Sequence, residues 1–473
     1  MAIDDGATLT TSPSPGKRSM RRPRAMLLAA APLARRDAIL LDPLSTQPRV
    51  SGGGRIRRGH CAALVETVPE RVNQERPAVT PPLARRAADA LLLVTAAALP
   101  LSTTVMEGTL LALAALTLFG VFARWGVVRR TPLDGVLVIL GTTLTVSTLA
   151  SGHPLQATGW LGRWVVLAYF LTYWWLRDAQ HAVRLVRVLV GAGALAATYG
   201  ILQHYTGADW YRSLLGRPTF VHPRDTESQG YAVVGFFRNY LTYGHAMLFP
   251  LAWAAAQAVR GAVAGIVAAP LLVVAIVFST ARGAWLAALA GGTALAMVAR
   301  RRATLLMLGG LAAVACLAFA LAPDLRRQAA GMFATTGENA ARIEIYRANL
   351  DIVHERPIFG VGFGRYQHAA PPYYVAHPQA DRHSHAHNDY LQIAAEAGLV
   401  GLAAFSLLYA TALRKGWAAI RRAATPEVWA VAVGAWIATW AFLVGGLTQY
   451  NFGDSEVAIP MWLALAVLMR CAA

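Results

Sequence analysis

From Ala87 onward the chain alternates apolar blocks with short connections that carry most of its Arg and Lys. The blocks approach the ~20 residues that a helix needs to cross a bilayer, and they predict about twelve spans. These fall near 88–105, 107–123, 133–150, 159–176, 185–203, 240–258, 262–279, 283–299, 303–322, 393–413, 427–447 and 456–471. Arg124, Arg129 and Arg130; Arg177 and Arg184; Arg260; Arg300 to Arg302; and Arg414, Lys415, Arg421 and Arg422 each follow an even-numbered span. They therefore share one face, which the positive-inside tendency makes the cytoplasm. Both termini then lie inside, and long loops at about 204–239 and 323–392 face outward.

The predicted fold is all-α: a polytopic integral membrane protein whose large outer loop contains short helices. Its parts are a basic tail over 1–86, expected to be disordered for lack of hydrophobic periodicity, helices over 87–322, the outer loop over 323–392, and a closing helical segment over 393–473. Composition agrees, with 56% hydrophobic and 14% charged residues in 473. A net charge of +18 would suggest nucleic acid in a soluble chain. Here the cations sit in the tail and the connections, so topology explains them and no nucleic-acid partner is expected. Cys61, Cys316 and Cys471 form neither a disulfide framework nor a metal-ligand spacing.

The outer loop over 323–392 predicts a helix capped by Thr335 or Thr336 and running to about His354, with Ile343, Tyr346, Leu350 and Val353 on one face and Arg342, Arg347 and Asp351 elsewhere. Pro357 stops it, and Gly360-Val361-Gly362-Phe363-Gly364 reads as a flexible turn. No βαβ unit surrounds those glycines, which argues against a nucleotide loop. The loop is expected to lie on the outer membrane surface as a partial lid.

Chemistry concentrates in the polar run from Asp381 to Asn388 and the helix after it. Asn388, Gln392 and Glu396 recur at every fourth position, one polar stripe at a membrane entrance. His383, His385 and His387 alternate and admit three readings: a His-x-His metal site, hydrogen-bonded loop histidines, or one base, His387. Arg282, at the outer end of two spans, suits a phosphate, because guanidinium binds it bidentately; the alternative is snorkelling to lipid headgroups. Arg238, Asn239 and His245 lie on the same face, with Arg212, Arg217 and Arg224 in the loop before them. The last outer turn, Gln449 to Asp454, adds further polar groups.

His387-Asn388, nine residues, Gly398, two residues, Gly401 resembles the spacing of the O-antigen ligase family of membrane glycosyltransferases. Ser279 to Gly283, Gly235 to Gly244, and the helix leading to Arg356-Pro357 resemble the same superfamily, over roughly 230–455. The resemblance implies a metal-independent, inverting transfer of glycan from an undecaprenyl-diphosphate carrier to an acceptor hydroxyl such as that of lipid A-core. The site would face the periplasm of a bacterial inner membrane, and no cofactor would be needed. It implies that His387 is catalytic and that Arg282 holds the diphosphate. Arg238 and Arg217 are the candidates for a second arginine, and His385 and Asn388 complete the substrate-binding set. A polysaccharide polymerase or a protein O-glycosyltransferase would share the pattern. A secondary transporter fits the span count, but the early spans do not repeat later ones; a zinc hydrolase is the remaining class.

Overall fold

The computed structural model describes residues 80–154, 164–221, 223, 230–300, 302–322, 326, 338–380 and 385–472. The chain divides into Met1–Asn73 and Gln74–Ala473, and every described residue belongs to the second unit. The expected tail up to residue 79, Arg224, Thr335, Thr336, Asp381 and His383 lie outside the described residues.

Helices begin and end where local chemistry directs. α1 (Pro82–Ala98) opens on a proline, whose missing N–H would be unsatisfied at that position anyway. Ser102 caps α2 (Thr103–Phe122); α3 (Asp134–Ala150) and α4 (Leu167–Trp175) follow. Asp178 caps α5 (Ala179–Thr206), which stops at Gly207 with φ 67°. After the short α6 (Trp210–Leu214), Asn239 caps α7 (Tyr240–Ala246), which leads into α8 (Leu248–Val259). Then come α9 (Val263–Ser279), α10 (Arg282–Ala299) and α11 (Arg302–Leu321). The segment between α11 and α14 holds α12 (Glu338–Glu355) and α13 (Tyr366–Ala369); α14 (Asp389–Arg422), α15 (Pro426–Gly445) and α16 (Ser455–Ala472) close the chain.

Each predicted apolar block carries helix, and among the described residues seven helices are long and apolar enough to cross a membrane. α3, α9 and Trp164–Trp175 are shorter apolar helices. Burial sorts centre from rim. The apolar windows of α15 and α16 are each 72% buried, that of α11 only 11%. A helix that is apolar all round and buried is a core helix, whereas the exposed Leu305, Leu306, Leu317 and Leu321 of α11 match a lipid-facing surface.

The two ends of the bundle differ. At the start of α3, Arg129 Nη2 donates to the Trp174 carbonyl at 2.9 Å, and Arg470 Nη2 donates to that of Arg177 at 2.6 Å. Two arginine-bearing connections and the last turn of α16 thus meet at one end. At the other end of α3, Ser147 Oγ lies 2.8 Å from the carbonyl oxygens of both Phe359 and Glu396. That end carries the loop between α12 and α14.

α12 turns inward only part of the face its sequence suggested: Tyr346 and Val353 pack against the buried cluster, and Ile343 and Leu350 do not. Ile345, Ala348 and Ile352 are buried against Tyr366, Tyr374 and Ala395, while Leu350 is 54% exposed and Ile343 lies at the surface. The helix carries two apolar stripes, and the partners supplied by α13, α14 and the Tyr373–Val375 turn select one of them.

Candidate active site

The start of α14 is built from its own polar stripe. Asn388 Oδ1 accepts from the N–H groups of Tyr390 and Leu391 at 2.9 and 3.0 Å, and its Nδ2 donates to the Leu447 carbonyl at 2.9 Å. One amide therefore satisfies the helix's orphan donors and ties it to the turn after α15. The Asp389 N–H donates to the Gly446 carbonyl at 2.7 Å, and its carboxylate accepts from the Phe452 N–H at 2.8 Å. Gln392 Oε1 accepts from the Ala386 N–H at 2.7 Å, holding the segment just before the cap.

These bonds press His387 into φ 49°, a left-handed conformation uncommon for a side chain other than glycine. Strain of this kind persists only where surrounding bonds overdetermine it. His387 is buried, its N–H donates to His385 Nδ1 at 3.2 Å, and its carbonyl accepts from the Tyr346 hydroxyl at 3.2 Å. Burial raises the Tyr346 phenol above its ordinary value, keeping it a donor. The two histidine rings are 4.3 Å apart. His387 Nδ1 lies 2.9 Å from Gln449 Oε1. With that oxygen as acceptor, Nδ1 carries the proton and Nε2 the lone pair.

Glu396, two turns along, faces the glycine segment. Its Oε1 accepts from the N–H groups of Gly364 and Tyr366 at 3.1 and 3.2 Å. Val361 N–H donates to Ala395 O, Gly362 N–H to Glu396 O and Leu399 N–H to Pro357 O, all within 2.9 Å. The segment expected to be a flexible turn is instead a strap bonded along α14. α14 accommodates it by breaking at Gly398, with φ 69° and ψ −173°. A Cβ there would overlap the Ile358 carbonyl, and one at Gly360 the Ala395 oxygen.

Arg282 is the first residue of α10 and is half-buried. Gly283 beside it sits against the Thr448 hydroxyl and 3.3 Å, measured from a Cβ built on it, from His245 Nε2. Thr448 precedes Gln449, so Arg282 and His387 belong to one neighbourhood. Arg342 Nη1 reaches the Thr448 carbonyl at 3.3 Å, bringing a second cation that the sequence had only placed on a helix. Arg238 and Arg217 are both exposed. Arg238 acts electrostatically on Glu456, and the Arg217 N–H donates to Arg212 O at 2.9 Å in the turn after α6. Among the described residues, neither contacts the His387 cluster.

Two further side chains complete the place. His245 is 1% exposed; its Nδ1 donates to the Leu241 carbonyl at 2.8 Å, which puts the lone pair on Nε2. That nitrogen and both amide atoms of the fully buried Asn451 have no partner among the described residues. Both side chains abut Gly445: a Cβ there would lie 3.2 Å from His245 Nε2 and 3.0 Å from Asn451 Nδ2. Buried polar groups normally find partners, so these can serve the polar groups of a bound substrate. The sequence marked His245 and the polar turn that holds Asn451, but their meeting at Gly445 is set by the tertiary approach of α7, α10 and α15.

Among the described residues, no group of three or more His, Cys, Asp or Glu is arranged to hold a metal ion. No curated protein matches the chain. Residues 245–406 match the family model described as O-antigen ligase, a span that contains Arg282, Arg342, the glycine strap and the His387–Asn388 cap, and that match supports the O-antigen ligase superfamily.

Proposed function

We propose that this protein moves a glycan from an undecaprenyl-diphosphate carrier to an acceptor hydroxyl, with lipid A-core as the acceptor. The observation that carries the reading is His387, buried, backbone-strained and hydrogen-bonded through Nδ1, at the same end of the bundle as Arg282 and Arg342. In this reading His387 Nε2 takes the proton as the acceptor oxygen attacks the anomeric carbon. The bond to the diphosphate oxygen breaks on the opposite face, inverting the sugar. A positioned base contributes about 10² to 10⁴-fold. The departing diphosphate gains charge, which Arg282 at the N-terminus of α10 and Arg342 stabilise without a metal.

Arg342 takes the second-arginine role for which Arg238 and Arg217 were the sequence candidates. Asn388, whose Oδ1 is engaged in the cap and whose Nδ2 is bonded to the Leu447 carbonyl, positions His387 instead of touching the donor. His385 supports the His387 backbone, and His245 and Asn451 meet sugar hydroxyls. The full assembly would have about twelve spans, both termini in the cytoplasm and His387 at the periplasmic face of the inner membrane.

The test is transfer by the purified protein from undecaprenyl-diphosphate-linked glycan to lipid A-core in EDTA, comparing wild type, His387→Ala and Arg282→Ala. Acceptor modification that survives EDTA and collapses in both variants is expected. Lengthened lipid-linked chains with unmodified acceptor would make the protein a polymerase, and no transfer to any acceptor would remove the reading.

A further inference from the structure

Away from His387, a cavity of about 670 Å³ lies among α3, α4 and α16. Leu137, Leu140, Leu144 and Phe170 give it apolar walls, with Arg129 and Arg130 at one end and Phe363 and Phe452 at the other. The α3 residues lining it run from Asp134 to Leu144. Ten rises of 1.5 Å make this about 15 Å, half of a bilayer's hydrocarbon thickness of about 30 Å. A polar recess of about 360 Å³ adjoins it, sharing Arg129 and Trp174 and adding Arg85, Asp89 and Arg177.

The charges do not cancel. Asp89 is engaged by Arg177 at 2.5 Å, and the Asp134 carboxylate accepts from the N–H and hydroxyl of Thr131. Arg85, Arg129 and Arg130 have no carboxylate partner among the described residues. The Arg470 charge also bears on Arg129. Trp174, whose indole N–H donates to the Arg129 carbonyl at 2.8 Å, stands where groove and recess join, the position that indoles favour at a membrane interface.

We infer that groove and recess together hold one anionic glycerophospholipid from the leaflet on the arginine side. Its phosphate sits among Arg85, Arg129 and Arg130, and an acyl chain runs along α3 toward Phe363 and Phe452. Basic recesses between membrane helices suit such headgroups. A depth of one leaflet favours this occupant over the donor's polyprenyl tail, whose diphosphate belongs at the opposite end of α3. The inference does not depend on the transfer chemistry.

The test titrates the full-length, delipidated protein in detergent with brominated phosphatidylglycerol or brominated phosphatidylcholine and reads quenching of tryptophan emission. Saturation at a concentration at least about tenfold lower with phosphatidylglycerol is expected, and Arg129→Gln/Arg130→Gln should erase that difference. Gly141 lines the cavity and a Cβ on it meets nothing within 4 Å, so Gly141→Phe should fill the groove and abolish saturable binding with the helical circular dichroism intact. Should the arginine variant unfold, Gly141→Phe carries the test. Equal binding of the two lipids, or binding that ignores Gly141→Phe, overturns the inference. Stoichiometric displacement of phosphatidylglycerol by undecaprenyl phosphate also overturns it, by giving the groove to the donor.

Discussion

His387 and Gln449 face each other with Nδ1 and Oε1 2.9 Å apart, joining the cap of α14 to the turn that follows α15. This contact selects the tautomer in which Nε2 is basic. Gln449→Leu removes the acceptor and frees the ring, so kcat for transfer should fall about 10- to 100-fold, part of what a positioned base supplies, with the donor KM little changed. Gln449→Glu keeps an acceptor oxygen and should recover much of the loss. A change in KM alone would mean that Gln449 binds substrate and does not orient the histidine.

Arg342 and Arg217 make opposite predictions. Arg342 reaches Thr448, next to Gln449, whereas Arg217 lies exposed in the turn after α6. Arg342→Gln should raise the KM for a diphosphate-linked donor about tenfold or more, the loss of one charge-assisted contact, and Arg217→Gln should leave it within about twofold. Equal effects of the two would move the anion site away from α12.

Gly398 holds φ 69° with the Ile358 carbonyl where a Cβ would be. Gly398→Ala must either strain the backbone or push the glycine strap off α14, at a cost of about 2 kcal/mol or more. The melting temperature in detergent should drop measurably, while Gly141→Ala, in open space, should not lower it in the same way. Unchanged melting of Gly398→Ala would show that the strap is not bound as described.

His377 clamps the segment after α13 onto α12: its Nε2 lies 2.8 Å from Asp351 and its Nδ1 2.8 Å from Glu344, which also pairs with Arg347. The Asp351 and Glu344 carboxylates raise the imidazole above its ordinary 6.5. The clamp is therefore fully charged below 6.5 and is lost as pH rises through the raised value. His377, ahead of Arg347, holds Glu344 below its ordinary 4.5, so that contribution is present above 4.5 and fades as pH falls through the lowered value. Hydrogen exchange of Tyr373–Ala380 should be slowest in the mildly acid window between and quicken toward alkaline pH, and His377→Gln should flatten the alkaline limb. Alkaline exchange identical in wild type and variant would count against the clamp.

The helical blocks and their amphipathic or all-apolar character were readable because they depend on residues within one or two turns of each other. His387, Arg282 and the glycines at 398 and 401 could be singled out for a related reason: each is a distinctive residue type at a fixed local spacing. The inward face of α12 was readable only in part, at Tyr346 and Val353, since Ile343 and Ile345 are equally apolar and only Tyr366, Tyr374 and Ala395 choose between them. Nor was the place of Arg342: it and Arg238 are alike as sequence, and α12 packing beside the 446–452 turn sets Arg342 against Thr448. The glycine run of 360–364 announced positive φ, yet its carbonyl and carboxylate partners on α14 lie more than thirty residues away. Periodicity fixes what each segment can bury, and packing between distant segments decides which of those options is taken.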